Sequence, residues 1–194
     1  MIDIKNLSLS YEGERVIEQF SLHVDKGEKI ALMGPSGCGK TSLLEAVAGL
    51  LKPEKGTVRV NGTVSCVFQE PRLLPWLSAL KNVNVVLSDS AATEGEAAKW
   101  LEAVGLYEDA HKLPSQLSGG MQQRVNIARA LAYGGDVLLL DEPMKGMDSE
   151  TAEAVAKLIK ASAEDKTLIL VTHDEEEASF FADKIYHYEN KAFR

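Results

Sequence analysis

The sequence predicts an α/β fold with a parallel sheet covered by helices, an antiparallel β section at the N-terminus and a helical insert. Three patterns indicate this fold. Residues 1–30 alternate between apolar and polar side chains, as half-buried strands do. Continuous apolar runs at 29–33, 136–140 and 167–171 are typical of strands buried on both faces. Between residues 71 and 133 the patterns typical of strands become rare, and apolar residues recur at helical spacing instead.

In the first half of the chain, the sequence predicts several strands and one helix. The strand KIALM (29–33) runs into a glycine-rich loop, and a helix is predicted from about Lys40. Short strands recur between 56 and 68. They are separated by Asn61-Gly62, a dipeptide typical of hairpin turns.

The second half returns to alternating strands and helices after the insert. Within the insert, Leu101 and Val104 keep helical spacing ahead of Gly105. The strand at 136–140 is followed by a helix at 149–163 and then by the strand at 167–171. This order predicts a parallel sheet connected by helices.

Composition describes an ordinary globular protein and argues against several functions. The 194 residues are 45% hydrophobic and carry a net charge of −8 without any Lys/Arg-rich run, which disfavours sequence-independent binding to nucleic acid. No apolar run reaches the roughly 18 residues that a membrane span needs. The N-terminus lacks the basic and apolar regions of a signal peptide, so we expect a cytosolic location. Cys38 and Cys66 are predicted to be reduced thiols.

The stretch GPSGCGKT, residues 34–41, matches the phosphate-binding pattern G-x-x-x-x-G-K-[ST] between a strand and a helix. Its glycines let the backbone curl so that N–H groups point at phosphate oxygens. Lys40 supplies a positive charge for the β and γ phosphates, and Thr41 a hydroxyl for Mg²⁺. The alternative is a glycine-rich turn that resembles the pattern by chance.

Two further strands end in polar residues at the edge where open α/β sheets bind ligands. Asp141 and Glu142 follow the strand at 136–140, where Asp141 suits a Mg²⁺ ligand and Glu142 a general base. His173 follows the strand at 167–171, in reach of a γ-phosphate. The alternative for Asp141 and Glu142 is a solvated acidic turn after the strand. The alternative for His173 is a structural or solvated histidine.

A second anion site is predicted in LSGGMQQRVNIARAL, residues 117–131. Ser118, Gly119 and Gly120 precede a helix, whose backbone N–H groups and positive dipole end favour an anion. The alternative is a serine-capped helix without a ligand.

The ordered set of motifs resembles the nucleotide-binding subunit of ABC transporters, from about Ile2 to Tyr188. The set comprises the P-loop, the Gln69 loop, LSGG, LLLDEP, Asp148 and TH. The resemblance implies one ABC ATPase domain, 1–194, with a P-loop NTPase (RecA-like) core at 1–70 and 134–194. The helical, signature-bearing subdomain would be 71–133.

The resemblance also implies roles for single residues. Two chains would meet head to tail, so that each ATP lies between the P-loop of one chain and Ser118, Gly119 and Gly120 of the other. Asp148 would cross the dimer interface, and Gln69 would contact Mg²⁺ and the attacking water. Glu142 would be the general base, and His173 would stabilise transition-state charge.

ATP and Mg²⁺ are the implied cofactors. Tyr11 would stack on adenine, with an ordinary half-buried strand tyrosine as the alternative. The loop residues assigned to ATP are Gly34, Pro35, Ser36, Gly37, Cys38, Gly39, Lys40, Thr41 and Ser42. Cys38 lies near a helix N-terminus, which favours a reactive thiol.

The chain departs from the family pattern at two places. Met121 stands where the signature usually ends in glutamine, and MKGMD (144–148) replaces the common D-loop pattern of small and apolar residues before the aspartate. We expect hydrolysis to survive, because the groups on phosphate and metal are intact. The dimer affinity and the hydrolysis rate are the properties that these departures affect.

The segment VFQEPRLLPWLSALKNV, residues 67–83, resembles importers of nitrate, sulfonates and taurine. Leu73, Leu74 and Trp76 would contact an integral-membrane permease, or alternatively fill the subdomain core. The resemblance implies an importer ATPase that lies on the inner face of the cell membrane, works indirectly with a solute-binding protein and binds no nucleic acid. An exporter or lipid-extraction ATPase and a soluble ABC ATPase are the alternatives.

Overall fold

The computed structural model describes residues 1–11, 13–87 and 93–194. The chain divides into two compact units. The first unit comprises Met1–Cys66, Asp136–Glu142 and Asp165–Arg194. The second unit comprises Val67–Gly135 and Pro143–Glu164.

An antiparallel sheet of three strands forms the N-terminal part of the first unit. Its strands are β1 (Ile2–Tyr11), β2 (Glu14–Val24) and β4 (Lys55–Val60), in the order β2-β1-β4. Along β2 buried and exposed side chains largely alternate, with Phe20, Leu22 and Val24 on the buried face. The alternation at 1–30 therefore reflects one packed and one solvated face.

The second sheet has six strands, in the order β5-β6-β7-β3-β8-β9. Strands β3, β6, β7 and β8 pair in parallel, and β9 is antiparallel to β8. Every residue of β6 and β7 is buried, which explains their continuous apolar runs. The bounds are β3 Lys29–Met33, β5 Val64–Val67, β6 Val137–Asp141, β7 Thr167–Thr172, β8 Lys184–Glu189 and β9 Ala192–Phe193.

The Asn61-Gly62 dipeptide does not close a hairpin, and that expectation is wrong. Strand β4 belongs to the three-stranded sheet and β5 to the six-stranded sheet, so the dipeptide carries the chain from one sheet to the other. Just before β5, the backbone N–H of Thr63 donates to Asp136 Oδ2 at 2.8 Å, and the Thr63 hydroxyl donates to the same oxygen at 2.9 Å. These bonds tie the start of β5 to the start of β6 instead of to β4.

Helices are distributed over both units. The first unit holds α1 (Lys40–Val47) and α6 (Glu175–Phe181). The second holds α2 (Ala79–Asn84), α3 (Glu94–Ala103), α4 (Gly119–Tyr133) and α5 (Ser149–Ser162), with 3₁₀ turns at Val85–Leu87 and Pro114–Gln116. Helix α5, which the sequence analysis places in the core, belongs to the second unit by this division. Within the described ranges, no helix has the length and apolar character to cross a membrane.

Gly56 in β4 provides a test of the antiparallel packing. Its φ is +82°, and a Cβ would lie against the carbonyl oxygens of Lys5 and Asn6, well inside van der Waals contact. Gly27 has the same φ of +82° with nothing within 4 Å of its Cβ position. We expect Gly27→Ala to lower the free energy of unfolding by about 1 kcal/mol through backbone strain alone.

Gly56→Ala carries the same strain and a steric clash, so we expect a loss of roughly 3 kcal/mol. Urea denaturation of both variants and the wild type gives the two differences. Equal losses would mean that β4 does not lie against the β1 backbone as described.

Candidate functional site

The carboxyl ends of three neighbouring parallel strands meet at one edge of the six-stranded sheet. In the register of β3, β7 and β6, Met33 is paired with Thr172, and Asp141 with Val171. The residues that follow these strand ends are therefore brought together. They are the glycine-rich loop after β3, Glu142 after β6 and His173 after β7.

The glycine-rich loop curls around the Lys40 side chain. Lys40 Nζ donates to the carbonyl oxygens of Gly34 at 2.7 Å and Pro35 at 2.9 Å, and Lys40 is only 7% exposed. A Cβ on Gly34 would lie 2.6 Å from the Tyr188 Cβ, so no larger residue fits at the start of the loop. The loop holds a buried ammonium group with no carboxylate paired to it among the described residues, as an anion site requires.

The other loop residues differ in exposure, and their predicted contacts with ATP stay predictions. Pro35, Ser36 and Gly37 are exposed, while Ser42 is buried in α1. Cys38 is also buried, and burial raises the pKa of its thiol in spite of the nearby Lys40 ammonium. A thiol with a raised pKa forms little thiolate at neutral pH, so the expectation of a reactive Cys38 is wrong. Both cysteines are free thiols, as predicted.

A hydrogen bond joins the end of the loop to β6. Thr41 Oγ1 donates to Asp141 Oδ2 at 2.7 Å. Asp141 is 4% exposed, and burial raises the pKa of its carboxyl; the Thr41 bond lowers it, and the nearby Glu142 raises it. A buried carboxylate of this kind is stabilised by a cation, and the hydroxyl and carboxylate oxygens fit Mg²⁺.

Phosphate oxygens would have to complete the coordination of such a cation. In the described part of the chain, no group of three or more His, Cys, Asp or Glu residues could hold a metal ion. Mg²⁺ typically binds through one or two protein oxygens together with substrate phosphates. The pair of Thr41 and Asp141 meets that requirement.

Glu142 and His173 form a pair at the same edge. His173 Nδ1 lies 3.4 Å from Glu142 Oε1; the Glu142 side chain is 16% exposed and that of His173 is 77% exposed. Glu142 adopts a φ of +44°, and its N–H donates to Val171 O at 2.9 Å. A left-handed conformation is uncommon and costly for a glutamate, and such strained residues cluster at functional sites. Outside this edge, Gln19 and Lys191 also adopt it.

Tyr11 ends β1, where it pairs with Glu14. The side chain of Tyr11 lies outside the described part of the structure, so its predicted contact with adenine stays a prediction.

In the second unit, the signature residues start α4 as a capped helix. Ser118 Oγ accepts a hydrogen bond from Met121 N at 3.2 Å, the N-cap arrangement that was the alternative to a ligand site. Gly119 has open space where a Cβ would be, whereas a Cβ on Gly120 would lie 2.5 Å from Gly146 O. Glycine at 120 therefore lets the backbone at Gly146 approach the signature.

Asp148 caps α5 in the same way. Its Oδ1 accepts from Thr151 N at 3.0 Å and its Oδ2 from Thr151 Oγ1 at 2.8 Å. These bonds lower the pKa of the Asp148 carboxyl, which stays negatively charged at neutral pH. Its predicted position at a dimer interface stays a prediction.

Gln69 lies in a segment that α4 holds on both sides, through two residues that the sequence analysis missed. Asn126 Nδ2 donates to Phe68 O at 2.9 Å, and Arg129 Nη2 donates to Pro71 O at 2.8 Å. Asn126 is fully buried, and burial lowers the pKa of the Arg129 guanidinium. The available signal was the spacing of three residues between polar side chains on a helix with many apolar positions.

The segment that follows Gln69 presents a tryptophan to solvent. Trp76 is 71% exposed, while Leu73 and Leu74 are half-buried. Trp76 therefore does not fill the core of the second unit, and that alternative is wrong for this residue. Asn82, buried in α2, holds the segment by accepting from Leu74 N and donating to Leu74 O, Leu77 O and Ser78 O.

Comparison with known proteins gives consistent matches. A sequence model described as ABC transporter matches residues 17–145. The chain is 43% identical over 191 residues to the aliphatic sulfonates import ATP-binding protein SsuB 2 of Pseudomonas syringae pv. tomato, covering 95% of this chain and 80% of that protein. It is 40% identical over 204 residues to the bicarbonate transport ATP-binding protein CmpD of Synechocystis, covering 95% and 72%.

The fold matches a solved structure of the same kind. The dimeric post-hydrolysis structure of the ATP-binding cassette MJ0796, bound to ADP and Pi, superposes with a TM-score of 0.91 at 31% identity. The superposition covers 100% of this chain and 97% of that chain. The α/β architecture predicted from the sequence, with its parallel sheet, antiparallel section and helical insert, is confirmed.

The two signature glycines differ in a way that stability measurements can test. Gly120→Ala would force Gly146 away, so we expect it to lower the free energy of unfolding by roughly 2 kcal/mol. Gly119→Ala adds a Cβ into open space at the first position of α4, so we expect no loss of stability. Thermal denaturation without nucleotide compares the two variants. Equal effects would contradict the close approach of Gly146 to Gly120.

Proposed function

The chain belongs to the ABC transporter family and is an ATPase, and we propose that it is the ATP-binding subunit of an importer for a small anion. In this proposal two copies bind ATP head to tail and drive transport through a membrane permease. The observation that carries it is the meeting of the Lys40 loop, the Thr41–Asp141 bond and the Glu142–His173 pair at one sheet edge.

ATP binding would depend on the glycine-rich loop. The Lys40 ammonium lies within the loop, and α1 starts directly behind it without an acidic residue in its first turn. Backbone N–H groups, the helix dipole and the ammonium all favour the phosphates. Tyr11 at the end of β1 would stack on the adenine.

Mg²⁺ would be held by Thr41 and Asp141, with Gln69 completing the set, and when bound it would neutralise charge on the phosphates. The support is chemical, since Asp141 is a buried carboxylate whose pKa burial raises. Without a cation, Thr41 supplies a hydrogen bond but no positive charge.

Hydrolysis would use Glu142 as the general base and His173 as a donor to the γ-phosphate. The left-handed backbone at Glu142 directs its carboxylate to the sheet edge where the phosphates would lie. His173 Nδ1 faces Glu142 Oε1, so the carboxylate orients the imidazole while the ring stays largely exposed to a ligand. The Glu142 carboxylate would take the proton of the attacking water.

The signature residues would complete the ATP site of a second copy. Ser118 accepts from Met121 N and keeps its hydroxyl hydrogen to donate, and Gly119 leaves space for an anion above the start of α4. Asp148 would contact the partner across the interface. The MJ0796 cassette, similar over the whole chain, is itself described as a dimer.

The permease would dock on the segment around Trp76. An exposed tryptophan, on a segment held in place by Asn82 and Arg129, provides the rigid aromatic anchor typical of protein interfaces. The chain would then lie on the inner face of the membrane. A solute-binding protein would act only through the permease.

The solute would be a small anion of the nitrate, sulfonate or taurine type. The names of two relatives refer to aliphatic sulfonates and to bicarbonate, both small oxyanions. Solute selection would belong to the permease and to any solute-binding protein.

We expect Glu142→Gln to bind ATP but to reduce kcat for hydrolysis by about 10²- to 10⁴-fold, because the amide cannot accept the proton of water. ATP should then trap a dimer that size-exclusion chromatography resolves. The matched control is Glu175→Gln, an exposed glutamate on α6. Turnover of Glu142→Gln at the wild-type rate would show that Glu142 is not the base.

We expect tagged Glu142→Gln, purified with ATP from gently solubilised native cells, to bring down a multi-span permease identifiable by mass spectrometry. Trp76→Ala in that background should lose the permease. Leu50→Ala removes a comparably exposed residue, at 60%, in the first unit and should retain it. Soluble partners alone would favour the alternative of a soluble ABC ATPase, and an export complex that of an exporter.

A further inference from the structure

Four residues after His173, on α6, Glu177 has a carboxyl group with a buried oxygen that the proposed mechanism does not use. Glu177 Oε2 accepts a hydrogen bond from Thr172 Oγ1. Thr172 is the last residue of β7 and is 1% exposed. The same hydroxyl oxygen accepts from Asp174 N at 3.1 Å. The Thr172 hydroxyl thus binds both Asp174 and Glu177. His173 lies between Thr172 and Asp174 in the chain, so these bonds hold the backbone on both sides of it.

The second oxygen of this carboxyl group is unsatisfied. Glu177 Oε1 is buried and has no hydrogen-bond partner in the described part of the structure. An ionised carboxylate needs donors at both oxygens, and this site supplies one. A neutral carboxyl group tolerates the missing donor better, because no full charge is left without solvation.

The charged surroundings favour the neutral form as well. The groups that face Glu177 are Glu142 after β6, His173 after β7 and Asp174 at the start of α6. Burial raises the pKa of Glu177; Asp174 and Glu142 raise it further, and the Thr172 bond and His173 lower it. Bound ATP would add negative charge at the same edge of the sheet.

We propose that Glu177 is a positioning residue of the ATPase site that acts as a neutral carboxylic acid. It holds the Thr172 hydroxyl at the end of β7 and thereby fixes the direction in which His173 leaves the strand. Its neutrality keeps a third carboxylate charge away from Glu142 and the phosphates. This inference rests on the proposed function, since it concerns the histidine assigned to the γ-phosphate.

The first test is kinetic and uses substitutions that separate shape from charge. Glu177→Gln keeps the shape of the neutral acid, so its kcat at pH 7 should stay within about twofold of wild type. Glu177→Ala releases Thr172, so kcat should fall about tenfold or more with little change in KM for ATP. Glu176→Gln, an exposed neighbour on α6, is the matched control. A tenfold loss in Glu177→Gln would overturn the neutral acid.

Thr172→Val and Thr172→Ser test the same contact from the strand. Valine removes the hydroxyl at nearly constant volume, so kcat should fall as in Glu177→Ala, and serine should restore it. The double variant Thr172→Val with Glu177→Ala should lose no more than either single variant. Additive losses, or full activity of both single variants, would overturn the positioning role even where Glu177→Ala itself folds poorly.

The pH dependence of kcat gives a readout that a purely structural role would not change. When the pH rises through the folded-state pKa of Glu177, the wild type gains a negative charge and the glutamine variant does not. The ratio of kcat for Glu177→Gln to wild type should therefore be near one below that pKa and increase as the pH rises through it. A ratio that stays flat or decreases would overturn the neutral acid.

Stability separates this inference from the proposed function. A carboxyl whose pKa is raised on folding stabilises the fold fully below its unfolded pKa, near 4.5, and loses that contribution as pH rises through the folded pKa. The urea midpoint of wild type relative to Glu177→Gln should therefore fall with rising pH. The opposite trend would overturn the neutral acid whatever the activity. A wild type without ATPase activity would instead overturn the proposed function and the positioning role with it.

Discussion

Parallel pairing of β3, β7 and β6 is the constraint on which the chemistry of the first unit depends. It places Met33 beside Thr172 and Asp141 beside Val171, so the residues after three strands share one edge. A shift of one residue in the register would turn the strand side chains to the opposite face. Because every residue of β6 and β7 is buried, such a shift would disrupt the packing on both faces and is strongly disfavoured.

That edge collects buried polar and charged groups that have few hydrogen-bond partners. Lys40 is held by backbone carbonyls, and Asp141 by a hydroxyl; the carboxyl of Glu177 has one donor for two oxygens. Each arrangement costs free energy because a buried polar or charged group lacks its best partner. A triphosphate with a cation would supply the opposite charges for Lys40 and Asp141, whereas protonation would relieve Glu177.

The sequence predicted the parts of the fold and site that depend on short-range patterns. The strands β3, β6 and β7, the helix from Lys40 and the polar residues after each strand follow from continuous apolar runs and from a loop motif with fixed spacing. Contacts between distant segments could not be predicted in this way. Thr63 with Asp136, which turns an expected hairpin into a crossing between sheets, is one such contact. Glu177 could not be singled out either, since nothing local distinguishes it from Glu175 or Glu176.

The second unit shows how one helix can serve two sequence motifs. Helix α4 begins at the signature with Ser118 as its cap, and two turns later Asn126 and Arg129 hold the backbone on either side of Gln69. Side chains three residues apart on a helix move together, because the backbone between them is fixed by hydrogen bonds. A displacement of the Gln69 segment is therefore either resisted by α4, or it moves α4 and with it Ser118. Within the second unit, one helix therefore links the Gln69 segment and the Ser118 cap without a separate connection between the two motifs.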